Sequence, residues 1–206
     1  MSQSEVHSYG RPPGAARNPD RKGPVFGIGF GKTATTSLYK ALIKLGYKTC
    51  HWRSDMFSEE TRQLIEAGSP LPFEAYTNVA SVVEGYAQLD RTFPSGVFIL
   101  TVRDLDDWLA SRTRHVTYNR ALNDRGLKPA HTWVDIDPVA WRSERIRHHE
   151  AVFRYFKDRP DKLLVIDIPG GDGWPRLCRF LNCAEPAVRF PHVDPLAVWA
   201  PKTKTG

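Results

Sequence analysis

The chain has 206 residues, 41% apolar and 25% charged, enough for one domain with a real core and short for two. No run in it approaches the roughly 20 apolar residues of a membrane span, and its three cysteines lack metal-ligand or disulfide spacing. The net charge of +6 comes from scattered basic residues, several of them near the N-terminus, so an anionic small molecule suits it better than a nucleic acid.

Residues 1–23 are rich in Pro, Gly and Arg and lack the apolar core of a signal peptide. They read as a mobile tail ahead of a single domain over residues 24–206, in a chain expected to be cytoplasmic. The apolar run Val25–Phe30 has the pattern of a short buried strand. It leads into "GFGKTATTSL", where Gly29, Gly31 and Lys32 precede Thr33, Ala34, Thr35, Thr36 and Ser37. Leu38, Ala41, Leu42 and Leu45 then repeat at helical spacing, which predicts a helix over 35–45 ended by Gly46.

Glycines let a backbone turn tightly and approach a ligand, while the first N–H groups of the helix and its dipole favour negative charge. With one lysine and four hydroxyls added, the turn suits a phosphate or sulfate group. It is neither of two standard nucleotide loops. The Walker pattern G-x-x-x-x-G-K-[ST] requires glycine at position 26, which is Phe26. The dinucleotide pattern G-x-G-x-x-G fails because position 32 is lysine.

Further strands are predicted at Tyr47–His51, Val97–Val102 and Leu163–Ile168, with helices at about 56–67, 78–92, 105–116, 138–158 and 174–182. This alternation predicts an α/β fold, a P-loop-type three-layer α/β/α domain with a central parallel sheet. Ligands of such folds gather at the carboxyl ends of the strands. Arg103 stands at one such end and Ser111 lies about two turns into the next helix. A guanidinium fork and a hydroxyl there suit a second phosphate, although pairing of Arg103 with Asp104 or Asp106 is an equally plain account. Residues 117–136 lack clear periodicity and read as a lid or acceptor-side loop. His115 reads as a cap of its helix, His148 and His149 as surface residues, and Cys178 and Cys183 as small apolar groups in one helix.

The two anion sites together resemble those of PAPS-dependent sulfotransferases, and more narrowly the short bacterial-type family with a "G-F-x-[KR]-T-x-T-T-S-L" loop. The stretches "FPSGVFILTVRDLDDWLASRTRH" and "GDGWPRLCRFLNCAEPAVRFPHVD" extend the likeness over roughly residues 24–194. The resemblance implies transfer of a sulfuryl group from PAPS to a hydroxyl or amine of a small-molecule or carrier-bound acceptor, with PAP as product and no metal required. By the same resemblance Lys32 holds the oxygen bridging phosphate and sulfuryl. The backbone from Gly31 through Thr33 and Ala34 to Ser37, with the Thr35, Thr36 and Ser37 hydroxyls, cradles the 5′-phosphate. Arg103 and Ser111 clamp the 3′-phosphate. Ala34 replaces a glycine that relatives often carry, which a positive φ would make a strained choice.

The resemblance assigns no base for the acceptor proton. His51, ending a predicted strand, is one candidate, Glu74 in the loop "LPFEAYTNV" another, and His115 a third beside its reading as a cap; Asn78 in the same loop stands where an Asp would be expected. Trp52, Phe57, Phe73, Tyr76, Tyr118 and Trp133 offer aromatic acceptor walls. Two alternatives stay open beside the sulfotransferase: a P-loop kinase using ATP, and a catalytically silent nucleotide-binding relative. Acceptor identity and oligomeric state have no signature in the sequence.

Overall fold

A computed structural model describes residues 23–51, 55–126 and 133–193. Residues 1–22 of the tail expected over 1–23, Trp52 and the end of the chain from 194 lie outside that set. In chain order the elements are β1 (Val25–Gly27), α1 (Thr35–Lys44), β2 (Thr49–His51), α2 (Asp55–Glu66), β3 (Ala75–Thr77) and α3 (Ala80–Glu84). There follow α4 (Tyr86–Thr92), β4 (Val97–Thr101), α5 (Leu105–Asp124), α6 (Pro138–Phe156), β5 (Leu163–Ile166) and α7 (Trp174–Leu181).

The five strands form one sheet in the order β2-β3-β1-β4-β5, every pair parallel. Side chains alternate across it, as the strand period of two demands. Val25, Ala75, Val97, Ile99, Leu164 and Ile166 face α1 and α7 through Leu38, Leu42, Trp174, Leu177 and Leu181. Phe26, Tyr76, Phe98 and Leu100 face the other way, against Ile65 of α2, Val82 of α3, Leu89 of α4 and Val152 and Phe156 of α6. Helices therefore cover both faces, giving the expected three-layer α/β/α architecture. Burying each such Leu, Ile or Phe is worth about 1.5–3 kcal/mol.

A third cluster lies at the Phe30 end of β1, where Trp108, Val116 and Trp141 meet Phe30, Leu105 and Trp133. It belongs to the site. The chain leaves β1 toward β2 and β3 on one side and later crosses to β4 and β5 on the other. The resulting switch point lies between β1 and β4, whose following segments flank a crevice at the carboxyl edge.

Five expectations change. β1 ends at Gly27, with Ile28 N–H still donating to Ile99 C=O at 2.9 Å and Gly29 so close to β4 that a Cβ would lie 2.0 Å from Thr101 Oγ1. β3 occupies "AYT" within a stretch expected to be a loop. The helix predicted over 78–92 is two short ones meeting at Gly85. α5 runs on to Asp124, into the stretch expected to be a lid. Cys183 lies beyond α7, past Asn182 in the left-handed region, and all three cysteines are free.

Candidate active site

The loop after β1 is folded by its own threonine. Thr33 N–H and Oγ1 both donate to the Phe30 carbonyl, at 3.3 and 2.6 Å, and Thr33 Oγ1 lies 2.6 Å from Thr101 Oγ1. Fully buried, this hydroxyl shapes the loop and does not face a ligand. Lys32 and Ala34 both take left-handed conformations, φ 75° and 68°. The first intrahelical bond of α1 is Leu38 N–H to Ala34 C=O at 3.0 Å. The N–H groups of Thr35, Thr36 and Ser37 thus precede the ladder at the helix end that attracts anions. Ser37 Oγ accepts from Val193 N–H at 3.0 Å, which leaves its own proton to donate. A Cβ on Gly31 would come within 3.3 Å of Asn78 Oδ1 and 3.9 Å of the Trp133 ring, so those two side chains flank the loop.

One face of α5 addresses this loop. Asp104 caps the helix, accepting from the N–H groups of Asp106 and Asp107. Those two bonds hold its carboxyl below the usual range. Trp108, Ser111, His115 and Asn119 then follow at i, i+3, i+7 and i+11, a single stripe. Trp108 Nε1–H donates to the Gly31 carbonyl at 3.0 Å. Ser111 is buried. His115 Nδ1 lies 3.5 Å from Lys32 Nζ, and its ring packs on Trp133 at 5.0 Å. Asn119 Nδ2 donates to Trp133 C=O at 2.9 Å. His115 is therefore mid-helix at the site and does not cap it.

His51, the last residue of β2, reaches the same edge. Its Nε2 lies 3.2 Å from Thr36 Oγ1 and its Nδ1 2.8 Å from Thr77 Oγ1, with Tyr39 stacked at 4.9 Å. Burial pushes its pKa down to about 4, so the ring is neutral at physiological pH with both nitrogens engaged by hydroxyls. Glu74 is not brought to the site. It precedes β3, and in a parallel sheet that places it at the amino edge, where Oε2 accepts from Lys48 N–H at 2.9 Å. Among the expected acceptor walls, Phe73 and Tyr76 are core residues, Trp133 is at the loop, and Trp52 and the Phe57 side chain lie outside the described residues.

Arg103 occupies the turn between β4 and α5, with its Nε buried and without a hydrogen-bond partner among the described residues. His148 and His149 are not surface residues. His148 stacks on Phe30 at 4.6 Å, and its Nε2 lies 2.8 Å from the Ile28 carbonyl. His149 is pushed down to about 4 by burial, then by Arg145 and His148. The sequence signal for both was available only as a pair of histidines on a long helix; what covers His148 is Phe30, which no periodicity predicts.

Fold and edge together define a class: a doubly covered parallel-sheet protein whose first strand–helix loop carries a lysine beside the open N-terminus of α1, the end of a helix that favours negative charge. A family model described as a sulfotransferase domain matches residues 24–146 and 131–197, and the chain belongs to that family, whose members transfer sulfuryl groups. A search of curated proteins finds no match to the chain. Among the described residues there is no group of three His, Cys, Asp or Glu able to hold a metal, and no helix long and apolar enough to cross a membrane.

Proposed function

We propose that the chain transfers a sulfuryl group from PAPS to a hydroxyl or amine of a small-molecule or carrier-bound acceptor. The observation that carries this reading is Lys32, held in a left-handed loop between the open N-terminus of α1 and His115. The residues fit the donor: N–H groups of Thr35 to Ser37 and the Thr35, Thr36 and Ser37 hydroxyls hold the 5′-phosphate. Arg103, whose buried Nε has no hydrogen-bond partner among the described residues, and Ser111 hold the 3′-phosphate. The acceptor oxygen attacks sulfur in line as the sulfur–oxygen bond to the 5′-phosphate breaks. Lys32 stabilises the charge that develops on the departing oxygen.

The acceptor proton needs a base within hydrogen-bond reach. His51 serves poorly, since both its nitrogens face threonines and burial lowers its basicity; it orients Thr36 instead. His115, beside Lys32 and Trp133, is the group placed to take that proton. The acceptor then lies against Trp133, Asn78 and Gly31.

Calorimetric titration with PAP, ATP and ADP, with and without Mg²⁺, tests the donor. Metal-independent PAP binding, weakened about 10- to 100-fold by Lys32→Ala or Arg103→Ala, is expected. A preference for ATP with Mg²⁺ would make the chain kinase-like. PAP binding without turnover over a broad acceptor panel would make it a silent nucleotide-binding relative.

A further inference from the structure

Two buried side chains connect the parts of the donor site without belonging to either. Arg145 of α6 is 7% exposed. Its Nη2 donates to the Arg103 carbonyl, and its guanidinium lies 5.1 Å over the Trp108 ring. Its Nε is buried with no partner among the described residues. Trp108 is fully buried, packs against Phe30 at 6.3 Å and carries Arg112 at 5.3 Å. Through Nε1–H it donates to the Gly31 carbonyl at 3.0 Å. A continuous path of contacts thus runs from the Arg103 turn, through Arg145 and Trp108, to the glycine preceding Lys32.

Nothing in packing alone calls for arginine at this position. A buried guanidinium is costly to desolvate unless its donors are used, and an apolar residue of similar volume packs as well. Asp104 and Asp167 favour its charge, but its hydrogen-bond acceptor among the described residues is the Arg103 carbonyl, whose direction sets how the chain leaves β4 and where the Arg103 side chain departs. Fixing that carbonyl fixes the clamp.

We propose that Arg145 is a positioning residue that aims Arg103 at the 3′-phosphate, while Trp108 ties the same assembly to the 5′ loop. Arg145 thereby sets the preference for a 3′,5′-bisphosphorylated nucleoside over a 5′-monophosphate, and Trp108 the hold on the 5′-phosphate that both share. This rests on the donor reading above. Neither residue touches the nucleotide.

The test measures binding of PAP and of AMP to the full chain and its variants. Wild type is expected to bind PAP more tightly; equal affinities would overturn the donor reading itself, before any variant is made. Arg145→Met keeps the packing against Trp108 and removes the donor. It should weaken PAP about 10- to 100-fold, as an ångström of misplacement does, and leave AMP within about twofold. Arg145→Lys, whose ammonium reaches the same carbonyl, should restore most of the discrimination. Trp108→Phe keeps a ring and removes only the bond to Gly31, and should weaken PAP and AMP alike, by about fivefold. Equal loss of PAP and AMP in Arg145→Met, or no loss, would overturn the proposal. Should Arg145→Met not fold, Arg145→Gln, whose shorter amide falls short of that carbonyl, takes its place, and equal loss of both nucleotides, or no loss, would overturn the proposal.

Discussion

Ala34 holds φ 68° and ψ 28° at the start of α1, a conformation that costs a residue with a Cβ about 1–2 kcal/mol and glycine almost nothing. Its methyl also packs against the α1–α7 core, and glycine has more freedom to lose on folding. Ala34→Gly is therefore expected to stabilise the chain by about 0.5–1 kcal/mol, seen as a higher urea midpoint at unchanged slope. A lower midpoint would mean that the packing of the methyl outweighs the backbone strain. His51 and His149 make a second prediction. Both are pushed from 6.5 to about 4 in the folded chain, chiefly by burial. As the pH falls below 6.5 the unfolded chain takes up these protons and the folded chain does not until about 4. Stability should then decline across that window, with proton uptake on unfolding. His51→Gln should flatten the decline; a urea midpoint that is level from pH 6.5 to 4.5 in the parent chain would refute both assignments.

At the scale of elements, the donor loop depends on how closely β1 and β4 approach. Gly29 would place a Cβ 2.0 Å from Thr101 Oγ1 and 2.6 Å from the Thr101 carbonyl, and backbone cannot yield as a side-chain tip does. Gly29→Ala should cost about 3 kcal/mol, measured by chemical denaturation, or prevent recovery of soluble protein. A cost under 1 kcal/mol would show that the strands separate easily there. The same elements explain what was legible in the sequence. β1, β4 and β5 are runs with strong apolar character, and the turn between β1 and α1 is marked by its glycines and hydroxyls, so both were readable. β3 has only three residues, too few to show a period. The end of α5 was hidden because its site-facing stripe is Trp108, Ser111, His115 and Asn119, mostly polar, so apolar periodicity fades where the helix turns to the ligand. Glu74 misled because its distance along the chain from the loop says nothing of which sheet edge it occupies; that depends on β3 and its parallel partner β1. Arg145 carried no local signal, since its role exists only where α6 meets the β4–α5 turn.

Across the whole molecule, the site is assembled from segments far apart in sequence. The β1 loop and the β4 turn meet at the switch point, α6 reaches them through Arg145, and the segment after α7 returns to α1. In that last contact Trp174 Nε1–H donates to Val188 C=O at 2.7 Å, Phe190 packs on Trp174 at 4.7 Å, and Val193 N–H donates to Ser37 Oγ. A nucleotide that bridges the loop and the turn binds only when the sheet is complete, so its binding is linked to global unfolding. With PAP at a hundred times its dissociation constant, stability should rise by about 2.7 kcal/mol, which for a chain of this size is about 5–10 °C in melting temperature. Because the proposed donor contacts are Lys32, Arg103, hydroxyls and backbone N–H groups, the shift should persist in EDTA. Arg103→Ala should reduce the shift from PAP while sparing that from AMP, since only PAP carries the 3′-phosphate. A larger shift from ATP with Mg²⁺ than from PAP would reverse the assignment of the donor while leaving the fold and the anion loop as described.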